Sequence, residues 1–414
     1  KSAGSTLEHP VQLVDIFPTV LSLAGAGEEA PVLFDSDHRK IYSETYYPRI
    51  HLGWSELHSL IEGDRHFIDA PRPEIYDLRR DAAEKNNLAG RSRRVLFAMN
   101  EKLGEFDRPF ASPRNVDPEE AAKLAALGYL SGTAEEGGER PDPKDRIGEL
   151  TEMNEAVNLA RDGNHAEAVA KLRVVLEENP RFTDAWTHLA RTYEEMGNFE
   201  AAAGAYRRSI ALAPAMSSEK ALSLAAVYLN LNDLEQARAH AELALKFNEP
   251  AARVLLGRVA LANRDLQTAA EQARLAAHDP AALVLLAQVA LARKEFAEAL
   301  ALANKAETVG DPPVALVDYV RGDVYARTGR PAEAEKAFRR EIANFPHERE
   351  AYAALAVLQL LQGKGSQAEA TMEQLVRTNP GSGSFLFAAR TFEQLGDARR
   401  AAAWRLRAVN RPLP

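Results

Sequence analysis

The chain is 414 residues long and carries 51 basic against 60 acidic residues, a net charge of −9, so its overall field gives no general pull on nucleic-acid phosphates or anionic lipid. That length predicts about two to four domains, or one domain joined to a repeat array, with ample chain for a packed core. Cysteine is absent, which excludes disulfides, thiolate metal sites and a Cys nucleophile, and no stretch approaches the ~18 uninterrupted apolar residues that a membrane-spanning helix needs. The opening Lys1-Ser2-Ala3-Gly4-Ser5-Thr6 has the features neither of a signal peptide nor of a start of synthesis, and a fragment is the expectation.

Residues 1–110 hold much of the aromatic and proline-punctuated sequence, including Tyr42, Tyr46, Tyr47, Trp54, Phe67 and Tyr76, and are read as a small α+β subdomain. Val11 to Ala24 reads as a strand or loop entering a helix, with Pro18 in its first turn and Gly25 as its stop. Arg39 to Ser43, Ser59 to Glu62 and Arg65 to Ile68 are short strand candidates of β-branched and aromatic residues, the last two joined at Glu62-Gly63-Asp64 as a hairpin. From Pro109 to Pro143 prolines and a Glu135-Glu136-Gly137-Gly138-Glu139 run mark residues 111–147 as a linker, interrupted by a short helix signal at Pro118 to Leu130.

Beyond residue 148 the texture turns to helical periodicity rich in Ala, Leu, Glu and Arg, and comparison of the chain with itself at a fixed offset becomes productive. The series Trp186-x2-Leu189-Ala190-x2-Tyr193-x3-Gly197-x4-Ala202-x3-Tyr206-x7-Pro214 resembles the tetratricopeptide repeat, in which small residues let paired helices approach and large ones fill between them. Aligning the small residue near the start of each second helix gives Ala168, Ala202, Ala237, Ala269, Ala299, Ala334, Ala368 and Ala401, at offsets of 34, 35, 32, 30, 35, 34 and 33. Helix-stopping prolines follow at Pro180, Pro214, Pro250, Pro280, Pro312, Pro346 and Pro380. The fourth and fifth repeats are shortened and carry Ala260 and Ala290 where Tyr193 stands in the second. The resemblance implies an all-α, right-handed solenoid of about eight helix pairs over residues 148–414, each pair burying its face against its neighbours.

In that family the first helix of each repeat lines the concave surface, which places Thr187, Arg191, Leu229, Val254, Arg258, Leu261, Gln288 and Leu291 as groove candidates. In the second repeat the groove places hold Asp184, Thr187, Arg191 and Glu194; in the middle repeats they hold Leu222, Ala226 and Leu229, then Val254, Arg258 and Leu261, then Val284, Gln288 and Leu291. The groove is therefore expected to turn apolar, and the Lys/Asn-rich set with which some members hold a C-terminal carboxylate is missing from these places. An apolar concave stripe suits a peptide or protein partner, or another domain of the same protein. Burial of these side chains against each other in the shortened repeats is the competing reading.

Three segments of the first subdomain resemble the C-terminal region of the sulfatases. They are His9 to Gly25, Ile41-Tyr42-Ser43-Glu44, and Glu74-Ile75-Tyr76-Asp77-Leu78-x2-Asp81-x2-Glu84-x2-Asn87-Leu88, in which Ala82 stands where proline is usual. Leu124-x2-Leu127-Gly128-Tyr129-Leu130 ahead of the repeats is similar to bacterial sulfatase-like hydrolases with such an extension. The resemblance implies a sulfuric ester hydrolase that works through a formylglycine made from a C/S-x-P-x-R motif and a divalent cation, calcium or magnesium, held by Asp and Asn or His. Neither is found. Ser112-Pro113-Arg114 lacks the intervening residue, and Asp35-Ser36-Asp37-His38 is followed by Arg39 where the metal motif has glycine. The catalytic core is thus expected upstream of Lys1, no cofactor is expected in this chain, and the missing core is itself a candidate partner; the alternative is a stand-alone tetratricopeptide scaffold or adaptor with a vestigial sulfatase subdomain. A periplasmic or extracellular location is implied by the same resemblance. Glu44, Tyr47, Arg49, His51 and Trp54 are the candidates for facing a substrate, Arg for an anion and the rings for a sugar or aryl face. Packing of Trp54 and Tyr47, with Arg49 paired to Glu44, is the alternative.

Overall fold

A computed structural model describes residues 16–25, 40–106, 139–213, 217–310, 313–379 and 381–409. The chain divides into two compact units, Lys1–Arg114 with Glu135–Gly148, and Asn115–Ala134 with Glu149–Pro414. Asp15, Asp35 to His38, Ser112 to Arg114, Leu124 to Leu130, Gly137-Gly138, Pro214, Pro312 and Pro380 lie outside the described residues.

In the first unit, α1 (Ile16–Leu23) ends at Gly25, whose φ of 72° is the left-handed stop that the sequence predicts. A four-stranded antiparallel meander follows: β1 (Lys40–Thr45), β2 (Leu57–Glu62), β3 (Arg65–Asp69) and β4 (Glu74–Asp77). β2 and β3 meet across Gly63 and Asp64, with Gly63 at φ 56°. The register sets Tyr42 opposite Leu60, Leu60 opposite Phe67, and Phe67 opposite Ile75, one apolar row across the whole sheet. Met99 and Leu103 of α2 (Arg93–Gly104) cover that row. The Glu74-to-Leu88 run folds back on its own strand: Asn87 Oδ1 accepts from Ile75 N at 3.1 Å, and Leu88 N donates to the Ile75 carbonyl at 2.8 Å. Asp81 accepts from the backbone of Asn86 at 2.7 Å and Lys85 at 3.1 Å, which holds its carboxyl below the usual range.

Residues expected to be linker are partly built into this unit. Ser55 N donates to the Pro141 carbonyl at 2.9 Å, and Asp142 accepts from the backbone of Lys144 and Arg72 at 3.0 and 3.1 Å. The expected boundary at 147 falls inside a helix, α3 (Pro143–Arg161). Pro143, read there as a breaker, is the first helical residue, a place that needs no amide hydrogen.

The second unit is a series of antiparallel helix pairs. α3 pairs with α4 (His165–Glu178), α5 (Thr183–Glu195) with α6 (Phe199–Leu212), α7 (Ser217–Leu231) with α8 (Leu234–Ala244), and α9 (Glu249–Ala262) with α10 (Leu266–Leu275). Then α11 (Pro280–Ala292) pairs with α12 (Phe296–Val309), α13 (Val317–Arg327) with α14 (Pro331–Asn344), α15 (Arg349–Leu361) with α16 (Gly365–Thr378), and α17 (Ser382–Gln394) with α18 (Ala398–Val409). Each of the eight aligned alanines is the fourth residue of its second helix and is at most 1% exposed, because a side chain longer than a methyl would force the paired helices apart. Between the helices of every pair one residue takes a left-handed φ: Gly163, Gly197, Asn232, Arg264, Lys294, Gly329, Gly363 and Gly396.

The shortened fourth and fifth repeats thus place Arg264 (φ 63°) and Lys294 (φ 65°) where glycine serves in five of the others. Left-handed backbone costs an ordinary L-residue about 1 kcal/mol, partly offset by the extra freedom glycine has when unfolded. Lys294→Gly is expected to raise stability by about 0.5 kcal/mol, read as a higher urea midpoint at unchanged helix content.

Candidate functional site

The second unit curls until its later repeats touch its early ones. Arg349, the first residue of α15, donates from Nη2 to the Asn230 carbonyl at 2.8 Å and to Asn230 Oδ1 at 3.0 Å, across 119 residues of sequence. Its guanidinium lies 5.5 Å from the ring centre of Phe199 and 4.9 Å from that of Phe387. Between repeats two and seven, a Cβ on Gly197 would stand 2.8 Å from Asn379 Cβ, and one on Gly381 would stand 2.2 Å from the Gly197 carbonyl oxygen. Both glycines allow an approach that no side chain would.

This curvature encloses a cavity of about 1650 Å³ on the inner face of the first helices. Arg191, Leu229, Arg258, Leu261 and Gln288 line it, five of the eight residues expected there. The other three do not. Val254 is buried in a cluster with Ala273, Ala282 and Leu285, and Leu291 in one with Leu283, Val284 and Ala287. Thr187 spends its hydroxyl on the Thr183 carbonyl at 3.1 Å and Ser209 Oγ at 2.8 Å. Close packing of the first helices of repeats four and five accounts for the two apolar cases: a Cβ on Gly257 would lie 2.4 Å from Leu285 Cδ2. The expected apolar groove is accordingly corrected to one of mixed character, in which Arg191, Arg258, Arg327, Arg349 and Arg390 come together with Glu194, Asp323, Glu348 and Glu350 and with Leu229, Leu261 and Phe387.

Two carboxyls in that wall are displaced. Burial pushes Glu194 up although Tyr206 donates to it at 3.0 Å, and burial pushes Glu348 up to about 7. Arg258, 3.9 Å from Glu348, favours its charged form but does not offset the lost water. Sequence reasoning missed Arg349, Glu348 and Phe387, because the repeat pattern reports neighbours along the array and carries no signal for contacts made when the array curls back.

The first unit has a smaller polar hollow of about 620 Å³, lined by Tyr46, Arg49, Ser55, Glu56, His58 and Asp69, with Arg140 among its other residues. Of the substrate-facing candidates Arg49 lies here, its Nη1 donating to Glu56 Oε1 at 2.9 Å, where the alternative reading had Glu44 as the partner. Glu44 accepts from the Tyr42 hydroxyl at 2.6 Å. Tyr47 is 54% exposed and stacks on His51, ring centres 4.3 Å apart. Trp54 is 2% exposed, so the expectation that it offers a ring face to a substrate is corrected: its indole is core. Arg49 and His51 lie on a π-helical turn, Pro48–Leu52, closed by Gly53 at φ 71°, with Tyr47 just before it and Trp54 just after, while Glu44 is on β1. His58 Nε2 is buried beside this hollow without a hydrogen-bond partner among the described residues. Its pairing opposite Asp69 in the β2–β3 hairpin was the available signal. Among the described residues no group of three or more His, Asp or Glu side chains is arranged to hold a metal ion, so nothing there fits the divalent cation of the sulfatases.

Comparison with protein families matches tetratricopeptide repeats to residues 159–215, to 221–242 with 280–305, and to 319–383. No curated protein matches the chain. Among solved structures it is similar to PilW, a widely conserved type IV pilus biogenesis factor, at 18% identity over 50% of this chain and 98% of that one, with a TM-score of 0.40. It is similar also to the APC/C hetero-tetramer Cut9-Hcn1, at 20% identity over 66% and 54% with a TM-score of 0.41. A thermophilic tetratricopeptide-repeat protein of Thermus thermophilus matches at 23% identity over 46% and 99%, with a TM-score of 0.36. The helix pairs, the buried small residue at the same place in each, and the three family matches together make the helical array of this chain a set of tetratricopeptide repeats.

Proposed function

We propose that the protein acts by binding another protein, and that a peptide segment of the partner lies in the inner cavity of the repeats. The observation that carries this is the cavity wall itself, which brings charged residues of both signs together with apolar ones such as Leu229 and Leu261. Such a wall suits a segment with both apolar and charged side chains, because each buried apolar contact adds affinity while the charges fix register. A photo-crosslinking residue at Leu261 should capture a partner that one at the exposed Arg207 does not. Arg258→Glu combined with Leu261→Asp is expected to weaken binding of that partner at least about tenfold at unchanged helix content. Equal capture from both positions, or unchanged affinity, overturns the reading.

A second reading concerns the first unit, and is supported by the way the Glu74-to-Leu88 run builds and closes its last strand. On that reading the unit is the closing subdomain of a sulfatase-like hydrolase whose nucleophile and cation site precede Lys1, and a periplasmic or extracellular location goes with it. The sequence as given is then expected to show no turnover of an aryl sulfate, with calcium or magnesium supplied, above a control without protein. Turnover above that control would show that nucleophile and metal site are not absent.

A further inference from the structure

We propose that the repeat array is a latched ring, in which Arg349 joins repeat seven to repeat three and, on letting go, widens the cavity for an entering segment. The loading role rests on the reading of the cavity as the interaction site; the latch does not.

Two contacts of Arg349 and one backbone approach define the seam. One is the Arg349 fork on both oxygens of Asn230, at 2.8 and 3.0 Å. A second is the ring face of Phe199 in repeat two, 5.5 Å from the same guanidinium. The third is the backbone approach of Gly381 to Gly197, where a Cβ would stand at 2.2 Å from a carbonyl oxygen. None of the three is needed to hold a repeat to its sequence neighbour. In an open-ended solenoid each pair packs only on the next, and stability propagates along one dimension. A contact from the second repeat to the seventh therefore adds closure and nothing to local folding. Polar and backbone groups make up much of the seam: Arg349 on Asn230, Arg258 3.9 Å from Glu348, and Asn379 and Gly381 against Gly197.

The chain has no cysteine, so spin labels can be placed at will. With labels on the exposed helix positions Arg208 of repeat two and Gln374 of repeat seven, the full chain should give one narrow distance by double electron–electron resonance. Arg349→Ala is expected to lose that narrow distance for a longer, broad one while helix content and the protection of amides within each repeat stay as they were. Gly381→Val, which opens the seam by steric clash and leaves Arg349 in place, should do the same. A broad distribution in the parent chain overturns the closed ring. A narrow distance retained in both variants overturns the latch. Should the latch behave as stated while no segment is found in the cavity, the interaction reading fails and the seam stands.

Discussion

Glu341→Ala will loosen the sixth repeat by about 3 kcal/mol, seen as roughly hundredfold faster exchange of the amides at 316–319. Glu341 is fully buried on α14, yet its carboxylate reaches the start of the partner helix α13. Oε1 accepts from Leu316 N at 2.5 Å, and Oε2 from Asp318 N at 3.0 Å and Tyr319 N at 3.1 Å. α13 has no cap of its own, since Leu316 precedes it at a left-handed φ of 69° with no side chain to accept from the first turn. The carboxylate therefore does for another helix what Ser or Asp does for its own, satisfying donors that would otherwise be orphaned in the core. Burial raises its pKa, and the three backbone bonds oppose that rise by favouring the charged form. Glutamine keeps one acceptor and turns an NH2 toward amides that need an acceptor, so Glu341→Gln should recover part of the loss and no more. Slow exchange at 316–319 in the alanine variant would mean that water or the neighbouring Asp318 replaces the cap.

That interaction also marks the limit of what the sequence makes legible. The eight alanines at offsets near 34 place every helix pair, because a repeat that buries a face only on its neighbour must repeat its small residues. The β2–β3 hairpin is equally open to inspection, since Gly63 supplies the one backbone conformation the turn requires. Groove residues are half legible. Arg191, Arg258 and Gln288 follow from their place on the first helices, but Val254 and Leu291 occupy equivalent places and are core. The difference lies in how closely repeats four and five approach at Gly257 and Leu285, a distance that periodicity does not encode. Trp54 fails for a related reason: a loop rich in Pro, Gly and aromatics reads as a functional loop, and a π-helical turn that delivers its indole to the core has the same composition. Arg349 reads in sequence as an ordinary charged residue opening a helix, and only the curl of the array gives it Asn230 as a partner.

The ring seam should tighten as pH falls from 8 toward 5.5 through Glu348, whose side chain keeps 29% of its surface exposed in the closed ring. In the closed ring burial pushes this carboxyl up to about 7, opposed by Arg258 of α9 and by Arg349 beside it, and reinforced by Glu350 on its own helix and Glu341 of α14. With the seam open it gains further water, and its pKa falls toward the ordinary carboxylate range. The closed state therefore holds its proton over a range in which the open state has lost it. Closure gains as pH drops through 7, and the gain levels off near the open-state value. Other groups act in the opposite direction but over different ground. Asp142, Glu307, Glu373 and Asp397 have depressed pKa values, so what they contribute is lost only on acidification below the ordinary carboxylate range. Burial lowers His188 and His240, whose charging on acidification weighs on the folding of repeats two and three without touching the seam. A seam-local distance, from the Arg208 and Gln374 labels, separates these effects where a melting temperature would merge them. The fraction of molecules at the short distance is expected to rise between pH 8 and 5.5 in the parent chain. In Glu348→Gln, which is neutral throughout, it should be high and flat. A parent chain whose short-distance fraction falls over that interval would show that attraction between Arg258 and the ionised Glu348 outweighs the cost of burying the charge.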